Sequence, residues 1–186
     1  MQLIGLTGKA GVGKSTVRQM IVDIFATKNI LTGKGSFAAP IRDMVAAMTG
    51  TRLDLTKSEI KHRFVPGFDF TYRKLLQVLG TEVGRHLDED IWVKLAKDVD
   101  ELVTTIDDNA IIIYDDVRFE NEAAYIREHG ILIHLARGMN TTDEHTSEAG
   151  VEFVFKEDLF IHNHPGLSLA SLNEEVYDLL KISGVF

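Results

Sequence analysis

A glycine-rich segment close to the start of the chain constrains the fold more than any other part of the sequence. Residues 8–15 read Gly-Lys-Ala-Gly-Val-Gly-Lys-Ser and match the pattern G-x-x-x-x-G-K-[ST] in full. A short apolar run, residues 3–7, precedes the segment, and residues 17–25 carry apolar side chains at helical spacing after it. The sequence therefore predicts a strand, a tight phosphate-binding loop and a helix, which is the context that this motif requires.

The residues of this loop are suited to the phosphates of a nucleotide. Glycines let backbone N–H groups turn towards phosphate oxygens, and the helix that begins here adds the positive end of its dipole. Lys14 is predicted to contact the β- and γ-phosphates of ATP, and the Ser15 hydroxyl is predicted to join the coordination of Mg²⁺. A chance glycine-rich turn is the alternative, which the specificity of the motif disfavours. Lys9 either reaches phosphate or is an ordinary exposed loop lysine.

Strands alternate with helices along the rest of the chain. The clearest strand is the uninterrupted apolar run at residues 110–114, of the kind that is buried on both faces of a parallel sheet. Further strands are predicted at 31–37, where Gly33 and Gly35 weaken the pattern, at 131–136 and at 159–161. Helices are predicted after Pro40, at 120–128, at 168–181, and along the apolar stripes of residues 75–83 and 92–103, which are expected to face the core. This alternation predicts an α/β fold with three layers, α/β/α, and a mostly parallel five-stranded sheet.

The composition excludes several classes of protein and site. The chain has 186 residues, with 20 Lys and Arg, 28 Asp and Glu, and a formal net charge of −8. It contains no cysteine, which excludes a disulfide scaffold, a cysteine-ligated zinc site and thiol catalysis. No apolar stretch has the length needed to cross a bilayer, so we expect a soluble intracellular protein of one domain with no membrane partner. The acidic balance disfavours non-specific binding to nucleic acid.

Two acidic residues and an arginine follow the clearest strand. Asp115, Asp116 and Arg118 come directly after the apolar run, at the carboxyl end of a predicted central strand, where ligands collect in open α/β sheets. A carboxylate there can hold a magnesium-bound water or polarise an acceptor, and an arginine two residues on can meet a phosphate with paired N–H groups. Asp115 could equally cap the following turn, and the simpler explanation for both carboxylates is a solvated strand-to-loop turn.

Three motifs outside the phosphate loop resemble those of a known family. Residues 116–122 read DVRFENE, residues 145–148 read HTSE, and residues 73–85 read RKLLQVLGTEVGR. Together with the loop, they resemble the bacteriophage-type deoxynucleoside monophosphate kinases, which have the P-loop nucleoside monophosphate kinase fold. The resemblance extends from the loop to the region of Asn163. It implies transfer of the γ-phosphoryl group of ATP to a deoxynucleoside monophosphate (dNMP), giving ADP and the deoxynucleoside diphosphate (dNDP).

The resemblance also implies roles for individual residues. The implied nucleotide-binding residues are Gly8, Ala10, Gly11, Val12, Gly13, Lys14, Ser15, Thr16 and Asn163, the last of them near the donor adenine. The implied catalytic residues are Lys14, Asp116, Arg118 and Arg137, and the implied magnesium ligands are Ser15 and Asp116. The implied acceptor-binding residues are Arg42, Arg73, Gln77, Arg85, Arg118, His145 and Glu148.

The same resemblance implies a division of the single domain, residues 1–186, into functional regions. It places a helical acceptor-binding region at about 40–106 and a lid at about 137–150, and the lid is expected to close only when both substrates are bound. The partners that it implies are ATP and a dNMP, with no direct contact to nucleic acid. The expected location is the cytoplasm, which would be the host cytoplasm if the protein is virus-encoded. Whether the protein forms a homodimer is left open.

Alternatives stay open for single residues and for the whole chain. Arg73 and Arg85 would otherwise form surface ion pairs, and His145, as a single histidine in a polar loop, would otherwise be structural or exposed. The chain as a whole could instead be another small-metabolite P-loop kinase, such as a dephospho-coenzyme A kinase, or a nucleotide switch that transfers nothing. Arginines at positions 73, 85, 118 and 137 favour transfer, because a switch needs no site for a second phosphorylated ligand.

Overall fold

The computed structural model describes residues 2–137 and 150–186. The chain forms two compact units, which we call the sheet unit and the helical unit. The sheet unit comprises Met1–Ser36 and Lys97–Phe186, and the helical unit comprises Phe37–Ala96. Among the described residues, no helix is both long enough and apolar enough to span a bilayer.

Five parallel strands form one sheet in the described part of the chain. They are β1 (Gln2–Thr7), β2 (Thr32–Gly35), β3 (Ile111–Val117), β4 (Gly130–Ala136) and β5 (Leu159–His162). Their order is β2-β3-β1-β4-β5, and each neighbouring pair is parallel. The predicted sheet is therefore confirmed, with the weakly patterned second strand shortened to four residues. Because β1 lies at the centre, the loop that follows it begins in the middle of the carboxyl edge of the sheet.

Helices cover both faces of this sheet, which confirms the three predicted layers. In chain order the α-helices of the described residues are α1 (Lys14–Thr27), α2 (Ala39–Thr49), α3 (Ser58–Lys61), α4 (Tyr72–Gln77), α5 (Arg85–Leu87), α6 (Ile91–Ile106), α7 (Glu120–His129) and α8 (Leu169–Ile182), and α2 to α5 belong to the helical unit. Ile4, Leu6 and Ile133 pack with α1 and α8 in the main core, because alternate strand residues point to the same face. On the opposite face, Gly5 lies against Ile126 of α7.

The helical unit has a small core of its own and one turn of irregular helix. The buried residues that form this core are Val45, Leu55, Ile60, Val65 and Tyr72. The predicted helix at 75–83 is regular only as far as Gln77 and continues as a π-helix over Val78–Gly84. The Trp92 indole N–H donates to the Gly80 carbonyl at 2.8 Å, so a side chain of α6 contacts the backbone of this irregular helix.

The apolar stripe on α6 is only partly buried. Trp92 and Ala96 lie in the interior as predicted, but Val99 and Leu102 are 57% and 64% exposed, so the core prediction is wrong for them. The next buried residue along this line of the helix is Asp100, whose carboxylate accepts hydrogen bonds from two tyrosine hydroxyls. The buried face of α6 therefore includes an acidic residue, Asp100. A search for apolar side chains at helical spacing does not detect such a residue.

Candidate active site

The glycine-rich loop has the backbone geometry of a phosphate-binding loop. It connects β1 to α1, and Gly8, Gly11 and Gly13 have positive φ angles of 134°, 79° and 104°. Gly13 precedes the first residue of α1 in a left-handed conformation, and a Cβ atom there would lie 2.6 Å from Nδ2 of Asn163. Position 13 is thus restricted to glycine by both its backbone conformation and its neighbour.

Asn163 connects the end of β5 to this loop. Its side-chain Nδ2 donates to the carbonyl of Val12 at 2.9 Å, and its backbone N–H donates to the carbonyl of Ala136 at 2.9 Å. Val12 is itself buried in the main core, so the loop is anchored by packing and by the amide of Asn163. The structure therefore shows Asn163 bracing the loop. The contact between Asn163 and the donor adenine, which the resemblance implies, stays a prediction.

The Lys14 ammonium lies across the loop. Its Nζ donates to the carbonyl of Lys9 at 2.8 Å and also to the carbonyl of Gly8. The positive charge therefore lies against the inner backbone of the loop, where the motif requires it for phosphate. Ser15 and Thr16 follow in the first turn of α1, and both are exposed.

The acidic residues lie within β3, which continues to Val117 rather than ending at residue 114. The pairing of β1 with β3 shifts register there: Gly5 pairs with Tyr114, whereas Thr7 pairs with Val117. Asp115 and Asp116 therefore both lie opposite the single residue between Gly5 and Thr7, which makes a β-bulge. Because the phosphate-binding loop begins directly after Thr7, the bulge brings both carboxylates beside the start of that loop.

The two carboxylates have different partners. Asp115 Oδ2 lies 3.3 Å from Nε of Arg18, which is on α1. Asp116 Oδ2 accepts a hydrogen bond from the Ser36 hydroxyl at 2.5 Å. Adjacent residues thus interact with different elements: Asp115 contacts the helix that follows the phosphate-binding loop, and Asp116 contacts the residue after β2. Sequence reasoning identified neither Arg18 nor Ser36.

A buried glutamate holds the backbone that carries Arg118. Glu122 is 3% exposed, and its Oε2 accepts hydrogen bonds from the backbone N–H groups of Arg118 at 2.8 Å and Phe119 at 3.2 Å. The Arg118 residue itself is exposed, two residues before α7 begins. Sequence reasoning gave Glu122 no role, although it is the last residue of the DVRFENE motif. Its position three to four residues after the N–H groups that it accepts is the signal for a helix-capping glutamate.

Replacing Glu122 by alanine is expected to lower the free energy of unfolding by about 2 kcal/mol, because two backbone N–H groups lose a charged acceptor. Urea denaturation at pH 7 measures this loss. Glu128→Ala is the matched control, since Glu128 lies on the same helix with a side chain that is 69% exposed, and it should change stability by less than about 0.5 kcal/mol. Equal losses in the two variants would contradict the role of Glu122.

Four of the implied acceptor-binding residues lie in the helical unit, and a fifth, Arg118, belongs to the sheet unit. Arg42 is on α2, Arg73 and Gln77 share one face of α4, and Arg85 begins α5. All four are half-buried, and Nη1 of Arg85 donates to the carbonyl of Glu89 at 3.1 Å. Contact of these side chains with an acceptor stays a prediction.

The implied lid falls mostly outside the described residues. His145 and Glu148 both lie in the segment 138–149, for which no structure is described. Arg137 is described, and it is exposed directly after β4. The roles implied for these three residues stay predictions.

Comparison with known proteins assigns the chain to a family. A family model described as deoxynucleotide monophosphate kinase matches residues 54–176. The chain belongs to the deoxynucleotide monophosphate kinase family. The deoxynucleoside-5'-monophosphate kinase of Escherichia phage T5 is 24% identical over an alignment of 242 positions, which covers 95% of this chain and 94% of the phage protein. A candidate deoxynucleotide monophosphate kinase of Acanthamoeba polyphaga mimivirus is 29% identical over 181 residues, with 88% and 89% of the two chains covered. The resemblance drawn from the motifs is confirmed.

A solved structure of lower sequence identity has a similar fold. The dephospho-CoA kinase from Campylobacter jejuni has a TM-score of 0.50 and 17% identity, covering 99% of this chain and 98% of that one. The predicted P-loop fold class is thereby confirmed. Likeness at this level of identity concerns the fold alone and does not favour the substrate of that enzyme.

Proposed function

We propose that the protein transfers the γ-phosphoryl group of ATP to a dNMP, with ADP and a dNDP as products. The proposal rests on one observation in a chain of the deoxynucleotide monophosphate kinase family. The phosphate-binding loop and Asp116 lie close together at the carboxyl edge of one sheet. The loop supplies the donor site. The motif beginning at Asp116 supplies the groups between donor and acceptor.

The chemistry needs alignment and charge neutralisation more than it needs a base. The phosphate of a monophosphate acceptor is already ionised, so no proton has to be removed by a strong base before it attacks. Holding two anionic groups end to end requires positive charge from the protein. We assign Lys14 to the transferred group, Arg118 to the region between the nucleotides, and Arg137 to the closing segment. We assign acceptor binding to Arg42, Arg73, Gln77, Arg85, His145 and Glu148, and the donor adenine to Asn163.

The donor set near the loop fits Mg²⁺. Ser15 supplies a hydroxyl and Asp116 a carboxylate, which are hard oxygen ligands of the kind this ion prefers. Among the described residues, no group of three or more His, Cys, Asp and Glu side chains is placed to hold a metal ion. That is compatible with Mg²⁺, which commonly binds one or two carboxylates, water and substrate phosphates rather than a cage of protein ligands. When bound, the ion neutralises charge on the β- and γ-phosphates.

A panel of acceptors tests the proposed function. The full-length protein is mixed with ATP and Mg²⁺, and separately with each deoxy and ribo monophosphate, with dephospho-coenzyme A, or with no acceptor, and the products are resolved by chromatography. We expect stoichiometric ADP and dNDP with at least one dNMP. Product with dephospho-coenzyme A alone would favour the other class of metabolite kinase. ATP hydrolysis unchanged by any acceptor would favour a nucleotide switch.

The proposal extends to the organisation of the protein in the cell. We propose that residues 1–186 act as one kinase domain, with an acceptor-binding region at about 40–106 and a lid at about 137–150. The two relatives compared are viral, which supports a virus-encoded enzyme that works in the cytoplasm of its host. A homodimer stays a prediction, and the mass of the protein in solution checks it.

A further inference from the structure

We propose that Ser36 is a positioning residue of the kinase, which orients the Asp116 carboxylate for phosphoryl transfer. The inference rests on the proposed function, since it deepens the role of a residue in that site. Ser36 belongs to no motif of the sequence. The structure nevertheless brings its hydroxyl 2.5 Å from Oδ2 of Asp116, across 80 positions of the chain.

The geometry of β3 explains why Asp116 needs such a partner. Regular pairing in a sheet fixes the direction of each side chain, because residues alternate between the two faces. Asp116 lies in the β-bulge, where two residues oppose one and this constraint is lost. The hydrogen bond from Ser36 restores a fixed direction. A hydroxyl that donates to a carboxylate makes a charge-assisted hydrogen bond, which is stronger than a neutral one and therefore restricts the direction of the carboxylate.

The position of Ser36 is itself fixed by the pairing of β2 with β3. Gly35, the last residue of β2, pairs with Tyr114 of β3, and Ser36 follows directly. The Tyr114 ring covers Gly35 so closely that a Cβ atom there would lie 2.4 Å from it. No larger residue fits at position 35 without displacing the ring. The close contact therefore determines where the Ser36 hydroxyl lies relative to β3.

A buried hydrogen-bond network holds Tyr114 in turn. Its hydroxyl donates to Oδ1 and Oδ2 of Asp100 at 2.8 and 2.7 Å, and the Tyr125 hydroxyl donates to Oδ2 at 2.7 Å. Burial raises the pKa of both tyrosines, so both hydroxyls stay protonated donors at neutral pH. The chain of contacts thus runs from Asp100 through Tyr114 and Gly35 to Ser36, and ends at Asp116.

The test separates positioning from a structural role. Ser36→Ala is expected to lower kcat about 10-fold, the effect of losing one hydrogen bond to a charged group. Dissociation constants for ATP and for the accepted monophosphate, measured by calorimetry, should stay within a factor of two, and so should the KM values. Ser36→Thr keeps a hydroxyl and is expected to restore most of kcat. Ser183→Ala, which removes a hydroxyl that donates to the Leu180 carbonyl at the end of α8, is the matched control and should leave kcat unchanged.

A double-mutant cycle tests whether Ser36 acts through Asp116. In an Asp116→Ala background, which removes the oxygen that accepts the Ser36 hydroxyl, Ser36→Ala should change the residual kcat by less than a factor of two. A full 10-fold loss in that background would overturn the proposal, as would a Ser36→Ala variant with wild-type kcat. A Ser36→Ala variant whose melting temperature falls while kcat per folded molecule is unchanged would also overturn it. A wild-type protein inactive with all monophosphates would instead refute the proposed function, so the two failures are distinguishable.

Discussion

Replacing Lys14 by alanine is expected to lower kcat by about 10² to 10³-fold, the loss measured when one preorganised donor to developing charge is removed. The Lys14 Nζ lies against the carbonyls of Gly8 and Lys9 on the inner side of the loop. Phosphate oxygens would take over these contacts when ATP binds. If Lys14 has the role that we propose, its removal takes positive charge away from the transferred group, and steady-state kinetics with saturating ATP and dNMP measures the effect.

Lys28→Ala is the matched control for this variant. Lys28 follows the last residue of α1, at the opposite end of the helix that Lys14 begins, and its Nζ lies 4.1 Å from the ring centre of Phe186. Its removal takes away the same charge from the same helix, and kcat should stay within a factor of two. The assignment of Lys14 fails if its alanine variant keeps a third or more of the wild-type kcat, or if the two variants lose equal activity.

The loop and the sheet were predictable because their signals are local. The motif at residues 8–15 demands a particular backbone, and Gly8, Gly11 and Gly13 have the positive φ angles that only glycine adopts readily. Short apolar runs also located four of the five strands, and the weaker pattern at residues 31–37 contained the other. Neither prediction required knowledge of which distant residues meet.

The residues around the acidic strand end could not be found in this way. Ser36 meets Asp116 across 80 positions, and Arg127 meets Asp158 across 31, so no spacing rule links them. The β-bulge depends on the register of β3 against β1, which apolar periodicity does not encode. On α6, the buried Asp100 interrupts an otherwise apolar line, because its tyrosine partners come from β3 and α7. The sequence could predict which side chains are suited to binding phosphate or Mg²⁺, but not which partners orient those side chains.

Asp158 has a dense set of partners on the α7 side of the sheet unit. Its side chain is fully buried, and its two oxygens accept a paired contact from Nε and Nη2 of Arg127 at 2.8 and 2.7 Å. Oδ2 also accepts from Nε2 of His134 at 2.9 Å and from the backbone N–H of Val154 at 2.8 Å. These contacts attach the stretch just before β5 to β4 and α7.

These contacts predict how stability depends on pH. Burial by itself raises the pKa of Asp158, but the hydrogen bonds from Arg127, Val154 and His134 outweigh it and hold the pKa below the usual value of 3.8. Because its pKa is lower in the folded state, the ionised Asp158 carboxylate adds to the free energy of unfolding above pH 3.8. This stabilisation is lost as the pH falls through the folded-state pKa. Burial lowers the pKa of His134 below 6.5, so the folded protein binds fewer protons there and also loses stability as the pH falls below 6.5.

Asp158→Ala is expected to lower the free energy of unfolding at pH 7 by about 3 kcal/mol, since the largely buried Arg127 guanidinium loses its paired contact and is left with the 3.5 Å contact of Nη1 with the exposed Glu120 carboxylate. Urea denaturation from pH 3 to pH 8 measures the loss, and the gap from wild type should narrow below pH 3.8 as the wild-type carboxylate is protonated. Glu157→Ala is the matched control, because Glu157 is the exposed neighbour, and its stability should follow the wild-type curve. A loss in Asp158→Ala of under about 1 kcal/mol, or a gap that is constant across this pH range, would show that the paired contact does not anchor the stretch before β5.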